Sequence, residues 1–289
     1  MTIVDSAVQD HPVSSDSLLK LDNVVKAFTS RRGDVVRAVD RVTLEIREGE
    51  SLGLVGESGS GKSTTGRLAL RLLSPTSGTI YFRGQNAAGF RGADLLAFRR
   101  QAQIIFQDPF SSLNPRMRVR QILTEPLVIH GLARGREREE VMGLLDMVGL
   151  RPEYADRYPF QFSGGQRQRI SIARALALRP RLMIADEPVS SLDVSVQAQI
   201  INLMRDLQAQ HRMAMLFISH NLAVVRHLCQ RTAVMRGGQI VEEGPTEELF
   251  RNPQHEYTRL LLDSILTPEP ARYRDARTED GGRRTEDGG

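Results

Sequence analysis

One short stretch decides the fold of this chain: Gly56, Glu57, Ser58, Gly59, Ser60, Gly61, Lys62, Ser63 and Thr64. Its pattern is G-x-x-x-x-G-K-S, in which glycines let successive backbone N–H groups turn inward around a phosphate. The apolar residues 51–55 predict a buried strand before it, and residues 65–73 predict a helix after it, whose N-terminus adds further free donors. Lys62 can reach the β- and γ-phosphates, and Ser63 can hold Mg²⁺ through its hydroxyl. In this context a glycine-rich turn that matches by coincidence is the weaker interpretation, and the stretch predicts binding of a nucleoside triphosphate.

The composition is typical of a globular protein and disfavours several other classes. The chain has 289 residues and a net charge of +4, without a basic stripe interleaved with aromatic residues, so it gives no indication of nucleic-acid binding. The single cysteine, Cys229, excludes a disulfide within this chain, and its apolar helical surroundings predict a buried thiol. Residues 1–17 are polar and predict no signal peptide. Because no apolar run approaches the ~20 residues that cross a bilayer, a membrane-spanning part would come from another chain.

Strands alternate with helices along most of the chain, which predicts an α/β fold with a mainly parallel sheet. Two strands with alternating polarity, 18–29 and 35–46, precede the phosphate-binding stretch and predict an attached antiparallel β subdomain. A mostly helical subdomain, about 110–165, interrupts the core. Residues 1–17 and 267–289 are expected to be disordered tails, which leaves 18–266 as the folded domain. The remaining predicted strands are 79–83, 103–106, 181–185, 213–218, 232–235 and 239–242, and the remaining predicted helices are 94–100, 119–130, 137–149, 163–178, 194–210 and 221–229.

Two carboxylates, Asp186 and Glu187, follow the apolar strand 181–185. Parallel strands deliver their C-terminal residues to one edge of the sheet, where the phosphate-binding loop also lies. Asp186 is then placed to hold Mg²⁺, directly or through water, and Glu187 to polarise an attacking water. Two surface acids without a function are the alternative, which the upstream loop makes the weaker one.

A second glycine-containing segment, Phe162-Ser163-Gly164-Gly165-Gln166, opens a predicted helix. Ser163 is a good N-cap by residue type, so simple helix capping is one interpretation. The two glycines also leave N–H groups free for an anion, which is the other.

Over nearly all of 18–265, the chain resembles the nucleotide-binding subunit of ABC transporters. The resemblance is carried, in chain order, by the phosphate-binding stretch, Gln107, FSGGQ, Asp186-Glu187, Ser191-Leu192-Asp193 and His220. The resemblance implies a P-loop NTPase (RecA-like) core that binds ATP and Mg²⁺. It departs from the family pattern at Phe162, where the signature usually begins with leucine.

The resemblance also implies a role for each matching residue. Gln107 would sense Mg²⁺ and the γ-phosphate, His220 would contact the γ-phosphate, and Phe28 would stack on adenine. Core packing of Phe28 and a structural role for His220 are the alternatives. The residues that would face the nucleotide held by an opposite subunit are Ser163, Gly164, Gly165 and Gln166, with Asp193 across the dimer interface.

Two segments narrow the type of ABC transporter that the chain resembles. Residues 107–119 resemble the switch-loop region of oligopeptide and dipeptide importers, and residues 252–261 resemble the start of their C-terminal extension. Some relatives carry an iron–sulfur cluster there, which is not expected here because the segment has no cysteine. The implied partners are a second ATPase subunit (a paralogue or a second copy), two membrane-spanning permease subunits and, indirectly, an extracytoplasmic binding protein. The implied location is peripheral, on the cytoplasmic face of the membrane.

Two other functions are compatible with a P-loop. A soluble ABC ATPase that acts on ribosomes or DNA usually has two cassettes, a long coiled coil or zinc fingers, and this chain has one P-loop and one cysteine. Another P-loop enzyme, such as a kinase, does not account for FSGGQ. Both are weaker than an ATPase subunit that powers import of peptides or similar small ligands.

Overall fold

The computed structural model describes residues 16–30, 33–132 and 134–266. Its strands are β1 (Ser17–Thr29), β2 (Val35–Arg47), β3 (Ser51–Val55), β4 (Ser77–Phe82), β5 (Gln85–Asn86), β6 (Ala102–Ile105), β7 (Leu182–Asp186), β8 (Ala214–Ser219), β9 (Arg231–Arg236) and β10 (Gln239–Pro245). Its helices are α1 (Lys62–Ala69), α2 (Gly92–Gln101), α3 (Pro109–Ser112), α4 (Val119–Ile129), α5 (Glu137–Met147), α6 (Gly164–Leu176), α7 (Val194–His211), α8 (Leu222–Leu228), α9 (Thr246–Arg251) and α10 (Glu256–Leu266).

The central sheet has six strands in the order β10-β9-β3-β8-β7-β6. All neighbouring pairs are parallel except β9 and β10, which form an antiparallel hairpin. Strands β3, β7 and β8 are buried along their whole length, as expected for parallel strands covered on both faces. The carboxyl ends of β3 and β7 therefore lie at the same edge of the sheet.

The two faces of this sheet pack against different layers. Along β7, Met183 and Ala185 point into a core shared with α6, α7 and the segments between β6 and α6. Leu182 and Ile184 point into a second core, shared with α1 and with a four-stranded antiparallel sheet of order β2-β1-β4-β5. The alternation of side chains along one strand thus joins both layers to the central sheet.

Between β6 and α6 the chain forms α3, α4, α5 and two short 3₁₀ turns, at Pro152–Asp156 and Pro159–Gln161. Leu123 of α4 and Leu145 of α5 are fully buried where these two helices meet. The domain limits of 18–266 and about 110–165 stay predictions. The two tails fall almost wholly outside the described residues, although β1 begins at Ser17, one residue earlier than predicted.

The structure corrects two sequence predictions. Helix α1 ends at Ala69 instead of continuing to residue 73, because Arg71 adopts a left-handed φ of +53° that breaks the helix. Helices α9 and α10 have no counterpart among the predicted elements; they pack Leu249 and Leu262 into the core that also contains Met183 and Ala185, called the main core below.

The predicted burial of Cys229 is confirmed, and burial raises the pKa of its thiol well above the usual range. Of the helices that the described residues form, none combines the length and the apolar character needed to span a bilayer.

Candidate nucleotide-binding site

The phosphate-binding stretch Gly56–Thr64, called the P-loop from here on, leaves the end of β3 and leads into the start of α1. Gly56 (φ +150°) and Gly61 (φ +108°) adopt backbone conformations that suit glycine. A Cβ atom at Gly56 would overlap the carbonyl oxygen of Met235, and one at Gly61 would overlap that of Ala38. Glycine is therefore required at both positions by close approach of neighbouring backbone as well as by φ.

Lys62 is buried inside this loop. Its Nζ donates to the carbonyl oxygens of Gly56 (2.8 Å) and Glu57 (2.6 Å) and lies 3.3 Å from Ser60 Oγ. Burial lowers the pKa of Lys62, and the negative charges of Glu187, Asp186 and Glu57 oppose that shift. The ammonium group of Lys62 is thus held by uncharged oxygen atoms of the loop, and phosphate oxygens can take their place as its hydrogen-bond partners.

Asp186 at the end of β7 reaches the start of α1. Ser63 Oγ donates to Asp186 Oδ1 at 2.7 Å. Asp186 is buried, and burial raises the pKa of its carboxyl group, although the Ser63 hydrogen bond and the charge of Arg67 act in the other direction. A hydroxyl and a buried carboxylate therefore lie side by side at the mouth of the loop.

Three further side chains lie around Glu187. Its Oε2 accepts from Gln107 Nε2 at 3.1 Å and lies 3.3 Å from His220 Nδ1. Gln107 Nε2 is also 3.4 Å from Ser190 Oγ, which donates to the Glu187 carbonyl oxygen at 3.1 Å. Glu187 has a left-handed φ of +46°, rare outside glycine, and its N–H donates to the Ile218 carbonyl oxygen of β8 at 2.9 Å. We call Lys62, Ser63, Asp186, Glu187, Gln107 and His220 the P-loop edge.

The FSGGQ segment lies at the start of α6 and forms a complete capping box. Ser163 Oγ accepts from the Gln166 N–H at 3.4 Å, and Gln166 Oε1 accepts from the Ser163 N–H at 3.1 Å. The N–H groups of Gly164 and Gly165 are among those that a helix start leaves without a partner inside the helix. We call Ser163, Gly164, Gly165 and Gln166 the signature turn.

The capping interpretation of the signature turn is therefore supported by the structure, and the anion-binding interpretation stays a prediction. The Cβ position of Gly164 lies 3.2 Å from Leu192, and that of Gly165 would overlap Val196 at the start of α7. Phe162 is buried with its ring edge-on to Tyr154, at a centroid distance of 5.3 Å, so the larger residue at the leucine position is accommodated.

Asp193 and Phe28 belong to other surfaces. Asp193 is exposed at the N-terminus of α7, and its carbonyl oxygen accepts from the N–H groups of Val196 and Gln197. Phe28 is 43% exposed, with Lys26 Nζ 5.2 Å from its ring centroid. The exposed ring disfavours the core-packing alternative and leaves a face available for a planar ligand.

Sequence reasoning missed three residues that contact this site. Ser190 bonds to the Glu187 carbonyl oxygen, and its position directly before the Ser191-Leu192-Asp193 motif is the sequence signal that could have identified it. Gly238, in the β9–β10 turn, donates its N–H to the Ser60 carbonyl oxygen at 2.9 Å. Tyr257 of α10 accepts the Glu57 N–H at 3.1 Å; its sequence context is that of an ordinary core tyrosine.

With this geometry established, comparison with known proteins defines the class. The chain belongs to the ABC transporter family, whose model matches residues 39–190. A model of the oligopeptide/dipeptide transporter C-terminal region matches residues 241–287.

Curated relatives are about half identical to this chain. Glutathione import ATP-binding protein GsiA of Pectobacterium atrosepticum is 50% identical over 278 residues, which cover 93% of this chain but only 45% of that protein. Probable peptide ABC transporter ATP-binding protein y4tS of Sinorhizobium fredii is 51% identical over 90% of this chain and 76% of its own length. Oligopeptide transport ATP-binding protein OppF of Bacillus subtilis is 50% identical over 89% and 85%.

Solved structures agree on the fold. A dimeric post-hydrolysis state of the ATP-binding cassette MJ0796 bound to ADP and Pi has a TM-score of 0.70 and 30% identity, and covers 79% of this chain and 98% of that one. The structure of cbiO1 from Clostridium perfringens, part of the ABC transporter complex cbiONQ, has a TM-score of 0.72 and 26% identity, and covers 82% of this chain and 92% of that one. The predicted α/β fold with a P-loop NTPase core and the predicted family are confirmed.

Proposed function

We propose that the chain is the ATP-hydrolysing subunit of an ABC importer for peptides or similar small ligands. The observation that carries the proposal is the P-loop edge, where a buried lysine, a buried aspartate and an oriented glutamate meet in one chain. The match to the oligopeptide/dipeptide C-terminal model favours an importer over a soluble ABC ATPase. Relatives named for peptides, oligopeptides and glutathione support small peptide-like cargo.

Mg²⁺ is part of this proposal, and the residues present fit it. Mg²⁺ prefers oxygen ligands and commonly combines one or two protein ligands with phosphate oxygens and water. Ser63 Oγ and Asp186 Oδ1 are 2.7 Å apart, and the raised pKa of Asp186 marks a buried carboxylate that a nearby cation would stabilise as the anion. Ser63, Asp186 and Gln107 would hold the ion, which when bound neutralises charge that develops on the transferred phosphate.

The remaining steps use side chains of this chain. Lys62 would exchange its carbonyl partners for the β- and γ-phosphates. Glu187 would accept a hydrogen bond from the attacking water and polarise it, with its carboxylate held in orientation by Gln107. His220, more than half exposed, would turn from Glu187 to the γ-phosphate. Phe28 would stack on the adenine.

The second half of each site would come from another subunit. The signature turn is partly buried at the start of α6, where the N–H groups of Gly164 and Gly165 have no partner inside the helix, and helix N-termini are suited to binding phosphate. Beside it, Val194 is 81% exposed at the start of α7, next to exposed Asp193. Such a surface suits a partner ATPase subunit, either a paralogue or a second copy, that closes when ATP is bound.

Permease subunits would dock on the helical segments. A groove of about 1000 Å³ runs between α4, α5 and the turn at Pro152–Asp156. Its apolar lining includes Met117, Val128, Ile129 and Met142, and acidic and basic residues surround it. Gln107 precedes the groove-lining segment, which begins at Met117, by only a few residues of chain. A movement of Gln107 in the P-loop edge would therefore be passed to a permease helix bound in the groove. In this proposal the chain would lie peripherally on the cytoplasmic face of the membrane, and an extracytoplasmic binding protein would act only indirectly.

The proposal is tested by affinity purification of the tagged chain from detergent-solubilised membranes. We expect recovery of two membrane-spanning chains with one further ATPase chain or a second copy, and ATP hydrolysis by the recovered complex. The K62A variant of the tagged chain serves as the control for hydrolysis. Recovery of ribosomes or DNA without membrane-spanning chains would support the soluble alternative and contradict the proposal.

A further inference from the structure

The C-terminal helix α10 reaches the P-loop through one side chain. Tyr257 is 3% exposed and packs within the main core, yet its hydroxyl oxygen accepts the N–H of Glu57 at 3.1 Å. Glu57 lies inside the phosphate-binding stretch. A residue in the segment matched by the C-terminal family model, 241–287, therefore contacts the nucleotide site directly.

The contact falls on the peptide that joins Gly56 to Glu57. The carbonyl oxygen of this peptide accepts from Lys62 Nζ at 2.8 Å, and its N–H donates to Tyr257. In a planar trans peptide, the C=O and N–H point in opposite directions. Lys62 and Tyr257 therefore hold the two opposite edges of one peptide plane, and rotation of that plane would break both bonds.

Tyr257 is itself fixed from two sides. The Arg236 guanidinium lies 4.8 Å from the centre of its ring. The Tyr257 N–H donates to His255 Nδ1 at 3.1 Å, and the His255 N–H donates to Glu242 Oε2 at 3.0 Å. The ring and backbone of Tyr257 are thus anchored to β9 and β10, so its hydroxyl is a fixed acceptor for the P-loop.

We propose that Tyr257 is a positioning residue for ATP: it keeps the peptide between Gly56 and Glu57 oriented so that Lys62 is presented to the incoming phosphates. This inference rests on the proposed ATPase function. Without the hydroxyl, the Glu57 N–H loses its acceptor and the peptide can rotate, which loosens the loop and lets Lys62 move away from the position in which it would meet the phosphates. The effect should fall on ATP binding, because neither Glu187 nor its partners Gln107 and His220 contact Tyr257 through these bonds.

The test compares Y257F with Y81F in the full chain. Both variants remove one phenolic hydroxyl, and Tyr81 lies in strand β4 of the antiparallel sheet. For Y257F we expect the Kd and KM for ATP to rise about 3- to 10-fold, the effect of one hydrogen bond, with kcat within about twofold of wild type. Hydrogen exchange of the Glu57 amide should also become faster. Y81F should match wild type in all these measurements.

Two results would overturn the inference. One is a Y257F chain with the ATP affinity and Glu57 exchange of wild type. The other is a loss of affinity that merely follows a lower Tm, with kcat and KM affected together, which would make Tyr257 a structural residue. Failure of the wild-type chain to bind ATP would instead contradict the proposed function, so the two failures are distinguishable.

Discussion

The P-loop edge and the signature turn are built in opposite ways. The P-loop edge joins residues from several separate segments, buries Lys62 and Asp186, and connects its members by hydrogen bonds. The signature turn is contained in four consecutive residues, and its side chains Ser163 and Gln166 bond to each other. The first depends on the whole tertiary fold, whereas the second is a local helix start presented on a surface.

This difference indicates how the two regions would divide the work. Groups buried in a fixed network are preorganised for charge, as at a site where phosphate and Mg²⁺ bind. A helix start whose Ser163 and Gln166 bond to each other needs no distant partner, and its other N–H groups would be available to a ligand held by another subunit. We therefore regard the P-loop edge as sufficient for binding ATP and insufficient for efficient hydrolysis.

Replacing Lys62 by alanine should have the largest effect, because it removes the only cation held inside the P-loop itself. Loss of charge-assisted hydrogen bonds to two phosphates predicts an ATP Kd at least about 100-fold higher, with turnover lost in parallel. Isothermal titration with ATP and a phosphate-release assay measure both. The matched control is R251A, which removes an exposed cation from α9. ATP affinity close to wild type in K62A would remove the P-loop assignment.

Replacing Glu187 by glutamine should separate binding from hydrolysis. The side chain keeps its shape but loses the charge that polarises water, so we expect turnover to fall about 100- to 1000-fold while the ATP Kd stays within about threefold. A closed, ATP-bound pair should accumulate, visible by size-exclusion chromatography. The exposed Glu248 on α9 supplies the control E248Q. Normal turnover in E187Q would mean that another group activates the water.

Replacing Ser163 by alanine tests whether the signature turn acts on another subunit. Loss of an N-cap predicts about 1 kcal/mol lower unfolding free energy. If the turn also faces a neighbour's nucleotide, turnover of the assembled complex should fall about tenfold while a single chain binds ATP normally.

The control for Ser163 is Asn86, whose side chain accepts from the Ala88 N–H at 2.9 Å and caps a short helix in the antiparallel subdomain. N86A should lose comparable stability and keep its turnover. Equal turnover in S163A and N86A would show that the signature turn acts only as a helix cap.

The layout of the P-loop edge follows from the sequence because parallel strands end at one side of a sheet. A buried strand before the P-loop and another before Asp186 are enough to bring Ser63 and Asp186 together. Element types follow for the same reason, since periodicity reports which faces are buried. The signature turn was identified from residue types alone, although the sequence left its capping and anion-binding interpretations open.

Contacts between distant segments do not follow from the sequence in this way. Tyr257 has the pattern of a core residue, and only the docking of α10 brings its hydroxyl to Glu57. The sequence predicts too long an α1 because Leu72 and Leu73 continue the apolar periodicity, whereas Arg71 adopts a left-handed conformation that ends the helix. Both depend on tertiary packing, which a local pattern does not encode.

Replacing Asp186 by asparagine should change the unfolding free energy no more than the loss of the Ser163 cap does, but the sign of the change should depend on pH and on bound ligand. Burial raises the folded-state pKa of Asp186 above its usual 3.8. The ionised carboxylate therefore costs stability at every pH above the folded pKa, and that cost disappears as the pH falls through the folded pKa towards 3.8. Without nucleotide, we expect the unfolding free energy of D186N to exceed that of wild type by about 1 kcal/mol at neutral pH, and this difference should shrink in acid.

Addition of Mg²⁺ and ATP should reverse this order. Ligand binding to the folded state stabilises wild type by mass action, and D186N, which lacks the anionic ligand for Mg²⁺, should gain less. Thermal unfolding across pH, with and without Mg²⁺ and ATP, measures both signs, and D206N, an exposed aspartate on α7, is the control. A D186N variant that is less stable than wild type without ligand would show that Asp186 is a structural partner of Ser63. The predicted reversal would instead mean that the P-loop edge carries a buried charge whose stabilising partner is the bound ligand.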